Sequence, residues 1–125
     1  MTQITAAGDD AEVAKYMKEF FRASRALDDA IDMLKARKNN FADFAETQVI
    51  NANLGDLQRA SIDMRAEFHA FLDEGNAVVA PSQEDVDAVQ RLSETLAGMN
   101  ANSARASAII SLATDIAKAF SKTRA

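Results

Sequence analysis

The chain has 125 residues, a formal net charge of −5, 48% apolar residues and no cysteine. That length suits one domain able to bury a modest core without metals or staples, and the lack of Cys removes disulfide frameworks, thiolate nucleophiles and Cys-based zinc sites while leaving the redox compartment open. The acidity is local: residues 39–75 hold seven acids against Arg59 and Arg65 and supply the whole deficit, and such a surface, without a basic stripe interleaved with aromatics, argues against nucleic-acid binding.

In chain order, Met1 to Asp10 lacks the basic start and apolar run of a secretory signal, so the cytoplasm is the default location and residues 1–8 are expected to be flexible. Asp9 or Asp10 caps a first helix over about 10–38. Its apolar positions Val13, Met17, Phe20, Leu27, Ile31 and Leu34, interrupted by Ser24, recur at three- and four-residue steps. Asn39-Asn40 supplies a stop, and Asn40 with Asp43 reads as the next cap.

A second helix is expected over about 41–74, with Leu54, Leu57, Ser61, Met64, Phe68 and Phe71 on one stripe and Gly75-Asn76 ending it. Phe41, Phe44, Gln48 and Ala52 fall out of that phase, and Gly55 sits near the change, which predicts a bend or a new facing partner. Ala77 to Ala80 reads as an extended connector before Pro81. Ser82 with Asp85 then opens a third helix over about 83–121, whose stripe runs from Val89 through Leu96, Met99, Ser103, Ile110 and Ala117 to Phe120. Gly98 is a place for a bend in this helix, but the unbroken phase argues against a full loop there. Strands are not expected.

Short connections make neighbouring helices antiparallel, so the expected fold is all-α: one domain spanning 1–125, an elongated up-down-up antiparallel three-helix bundle with long helices. Folding at the two turns predicts aromatic ends, with Phe41, Phe44 and Phe120 beside Leu34 and with Phe68 and Phe71 beside Tyr16. A narrow waist containing Asn100 and Asn102 is expected between them.

Function is read from what is missing. Between Thr95 and Thr114 the only charge is Arg105, although a surface helix ordinarily shows one charged face. The expected cover is another macromolecule: a protein partner or a second copy meeting Ser103, Ser107, Ser111, Ile109, Leu112 and Ile116. A competing reading has this helix insert into a membrane, favoured by Ile109, Ile110, Leu112 and Ile116 and opposed by Arg105 and the Asn residues.

His69 invites comparison with helical histidine-phosphotransfer domains of similar size and acidity. Those place a Leu-Lys-Gly run just after the His, whereas here Ala70-Phe71-Leu72-Asp73-Glu74 follows and its acids repel phosphate. The expectation is a boundary histidine with its ring partly packed. Asp28, Asp29 and Asp32 read as a solvated face paired with Arg25 and Lys35, not as a metal site, since no Glu-x-x-His pair accompanies them. No catalytic constellation, metal or cofactor is expected, and the sequence reads as a non-enzymatic interaction or assembly module.

Overall fold

A computed structural model describes residues 2–124. Four helices, α1 (Asp10–Asn40), α2 (Phe44–Asp73), α3 (Gln83–Ala97) and α4 (Ala106–Ser121), are joined by a two-stranded antiparallel sheet of β1 (Gln3–Ile4) and β2 (Val78–Val79). The class is all-α. The three-helix topology is corrected to four helices, because the expected third helix is broken between Ala97 and Ala106.

Each boundary has a local cause. Asp9 accepts the amide of Glu12 at 3.0 Å and starts α1, while Arg37 and Lys38 lie in its last turn, where cations suit the negative end of the helix dipole. Asp43, rather than Asn40, caps α2 by accepting the Glu46 amide at 2.8 Å; Asn40 instead donates back to the Ala36 carbonyl. Gly75 ends the second helix with φ of +72°, a conformation that glycine enters without steric cost. Ser82 accepts the Asp85 amide at 3.1 Å and opens α3.

The break after α3 is built from the residues the stripe passed over. Gly98 caps the helix, and the Asn100 side-chain carbonyl takes both the amide and the hydroxyl of Ser103, at 3.2 and 2.8 Å. These local bonds compete with helical ones. Arg37 donates to the Ala101 carbonyl at 2.9 Å and pairs with Glu46, so the loop is tied to the α1–α2 turn. Beyond the break the buried row of α4 is Ala106, Ile109, Ala113, Ile116 and Phe120, so Ile110 and Ala117 of the expected stripe are only half-buried and Ser103 is exposed.

At the opposite end, the connector and the N-terminal segment supply one another's missing hydrogen bonds. Ile4 pairs with Val78 and Gln3 with Val79, the Val79 amide donates to the Thr123 carbonyl at 2.7 Å, and Ile4 is buried. The expected absence of strands is therefore corrected, because extended backbone needs partners and two extended segments meet here, and Gln3–Ile4 of the start expected to be flexible lie in that pairing. The Met1 part of that expectation lies outside the described residues.

Paired side chains give the directions of the helices. Arg37 with Glu46, and Asp28 with Ser61 and Arg65, set α1 antiparallel to α2, while Arg22 with Gln90 links α1 to α3. Both α1 and α4 contact all three other helices, whereas α2 and α3 lie apart. Three neighbours widen the buried face of α1 beyond the expected stripe: Tyr16, Ala23, Ala26 and Ala30 join Phe20, Leu27, Ile31 and Leu34 in the core, and the alanines allow close approach.

Aromatic residues gather at one end, not two. Phe20 stacks on Phe68 at 3.9 Å between centroids, Tyr16 meets Phe71 edge-on at 4.7 Å, and Phe120 lies 5.8 Å from Tyr16. Phe41 and Phe44 are exposed, and Asn100 and Asn102 belong to the α3–α4 loop rather than to a waist. Folding back at that loop carries Phe120 away from Leu34, which lies about 27 Å along α1 from Tyr16. Replacing Phe120→Ala is expected to cost about 3–5 kcal/mol in denaturant unfolding. In double-mutant cycles its effect should couple to Phe20→Leu and add independently to Leu34→Ala; the opposite pattern would restore the three-helix arrangement.

Candidate interaction surface

The six residues assigned to a partner from sequence divide sharply. Ser103, Ser107 and Ser111 are exposed and Leu112 is half-buried, but Ile109 and Ile116 are wholly enclosed in the chain's own core. For these two the expectation is corrected. Within α4 the inferred cover is supplied by α1, α2 and α3, leaving Ser107, Ala108, Ser111, Asp115 and Lys118 outward, whereas most of the uncharged stretch before it, from Thr95 to Arg105, is exposed. A helix hemmed in on three sides has room for charge on one row alone.

The apolar surface lies elsewhere. Phe44 is 80% exposed, Ile62 63% and Phe21 56%, with Phe41 and Val49 also open to solvent. Phe44, Val49 and Ile62 belong to α2, on whose first half the residues turned outward include Ala45, Gln48, Asn51, Ala52 and Gly55. The one charge from Phe44 to Gly55 is Glu46, and it is occupied by Arg37. Exposed large side chains on an uncharged helix face mark an interaction surface more strongly than scattered single residues do. The signal was visible in the sequence as the phase change at Phe41, Phe44, Gln48 and Ala52, which separates an outward row from the inward stripe of Leu57, Met64, Phe68 and Phe71.

The polar clusters are held by other means. Asp28 accepts the Ser61 hydroxyl at 3.1 Å and pairs with Arg65, so it bridges α1 and α2, while Asp29 pairs with Arg25 on the surface. Among the described residues no group of three or more His, Cys, Asp or Glu side chains converges for a metal. His69 is largely exposed rather than partly packed, with Nδ1 3.6 Å from Asp73. No helix among the described residues is long and apolar enough to cross a membrane.

One buried group escaped the sequence reading. Glu19 is 1% exposed, and neither carboxylate oxygen has a hydrogen-bond partner; the Tyr16 hydroxyl is likewise enclosed and unpaired. Burial pushes the Glu19 carboxyl up to about 7; Asp85 of α3 adds to the shift and Lys15 of α1 opposes it. The Tyr16 phenol is also held above its ordinary value, first by burial and then by Glu67 and Glu19. Lys122 does not answer Glu19 directly, because it is engaged by Asp85 at 3.1 Å. Glu19 shares the widened face of α1, and that width depends on α3 and α4 both docking there.

Comparison with protein-family models, curated proteins and solved structures finds no match to this chain. The interaction surface therefore rests on its own geometry.

The Glu19 environment fixes a pH dependence. Its folded value exceeds the ordinary 4.5, so the neutral acid is favoured on folding: the contribution is fully present below about 4.5 and is lost as pH rises through about 7. Stability from urea midpoints should fall between pH 5 and pH 8 by on the order of 3 kcal/mol, and Glu19→Gln should flatten that fall. An equally steep decline in the variant would place its origin elsewhere.

Proposed function

We propose that this chain is a non-catalytic helical module that works by associating with itself or with another protein, and that its contact surface is the outward face of α2 rather than α4. The observation that supports this reading is the exposure of Phe44 and Ile62 at the two ends of an uncharged row of α2, with Asp56 and Asp63 beside it. Leaving two large apolar side chains in water forgoes roughly 1.5–3 kcal/mol each relative to burial. A partner that covers them recovers that contribution.

The outward row of α4 offers less to a partner. Ser103, Ser107 and Ser111 are small, and Asp115 and Lys118 follow them on the same side, while the large apolar residues Ile109 and Ile116 already pack within the bundle. Phosphoryl transfer to His69 is disfavoured, because the Asp73 carboxylate stands beside its ring.

A photoreactive amino acid placed at Gln48 on α2, and separately at Ser107 on α4, tests the assignment in cells producing the chain. Gln48 should yield covalent adducts with protein, whether a second copy or another chain, and Ser107 should yield few. Adducts from Ser107 alone would return the surface to α4; none from either position would refute association through these helices.

A further inference from the structure

This inference rests on the association just proposed and concerns the identity of the partner. Phe44, Gln48, Asn51, Gly55, Gln58 and Ile62 follow one another along α2 at steps of four, three, four, three and four residues. That interval lines side chains into one seam along a helix. All are exposed except the half-buried Gln58, and none is charged.

The seam has large apolar residues at both ends and its smallest residue near the middle. A Cβ added at Gly55 would meet no atom within 4 Å, so nothing inside the chain needs the missing side chain there. Glycine weakens a helix interior relative to alanine. What its absence of a side chain does permit is close approach by a second backbone from outside.

The order of residues is matched to its own reverse. In an antiparallel pair of α2 helices centred at Asn53, Phe44 falls level with Ile62 of the second copy, Gln48 with Gln58, and Asn51 with Gly55, and each pairing occurs twice by symmetry. Apolar side chains then meet apolar ones, two amides capable of reciprocal hydrogen bonds face each other, and the short Asn side chain stands over bare backbone. A two-fold interface requires this kind of self-match, in which one patch serves both partners.

We propose that the occupant of this face is a second copy of the chain, docked with its α2 antiparallel to the first. The contact runs about 27 Å along helices about 10 Å across. That footprint, about 270 Å² per copy, falls below the roughly 1,000 Å² total of stable specific interfaces, so the dimer is weak, reversible and concentration-dependent. Asp56 and Asp63 and the cations Arg59 and Arg65 lie beside the seam rather than on it, and each copy carries a net −5, so added salt should tighten the pair by screening the repulsion between the two net charges.

Sedimentation equilibrium of the full chain should show mass rising from 13.5 kDa toward twice that value with concentration. Gly55→Leu, which has room in its own fold, should raise the dissociation constant at least tenfold with helicity unchanged. An unaffected dimer would overturn the proposal.

Orientation is read independently, because the chain has no native thiol to interfere. With a short bismaleimide, a mixture of Phe44→Cys and Ile62→Cys chains should form mixed cross-links. Either variant alone should form none, its two thiols being about 27 Å apart. Cross-links within a single variant would mean parallel pairing and sink the inference. A chain that stays a single copy at all concentrations, while Gln48 photo-adducts contain a different protein, would sink it and leave the association function standing; absence of any adduct would remove both.

Discussion

The packing of Phe120 against Tyr16 and Phe20 is the contact on which the rest of the architecture depends. It brings the C-terminal end of α4 back to the level where α1 begins, and that return requires the turn between Ala97 and Ala106. Once α4 lies there it contacts every other helix, and its Ile109 and Ile116 become core. The Thr123 carbonyl beyond it then accepts the Val79 amide, so the C-terminus also holds the small sheet that closes this end.

The same packing explains the low charge of α4, though not that of the exposed turn before it. An apolar, uncharged helix circumference shows that water is kept away, but it does not say by what. In this chain the covering surface is internal, and one narrow row carrying Asp115 and Lys118 reaches solvent. The face that remains without cover belongs to α2, which touches α1 and α4 while lying apart from α3. Exposure of Phe44 and Ile62 follows from the arrangement of the four helices, since no further element among the described residues lies over them.

Glu19 shows the cost of the widened α1 face. A carboxyl on that face was brought into the core between Lys15 and the Asp85 region, with no donor for either oxygen. Burying an ionised group without partners is strongly unfavourable, so the neutral acid is the form that fits. Glu19 thus links the aromatic end of the bundle to proton concentration.

Sequence alone determined the helical class, a first cap at Asp9 or Asp10, the cap at Ser82, the stop at Gly75, and the inward stripe of α2 from Leu57 to Phe71. All of these are set by neighbours within a few residues. It also marked Phe41, Phe44, Gln48 and Ala52 as out of phase, which is the local trace of the outward face. Tertiary structure alone decided that Gly98 to Arg105 is a turn, that Phe120 sits beside Tyr16, that Ile4 pairs with Val78, and which side of the last helix is dry. Periodicity reports that one face of a helix is buried, and it is silent on whether the burying surface lies in the same chain, because hydrophobic contact has no direction and no memory of sequence distance.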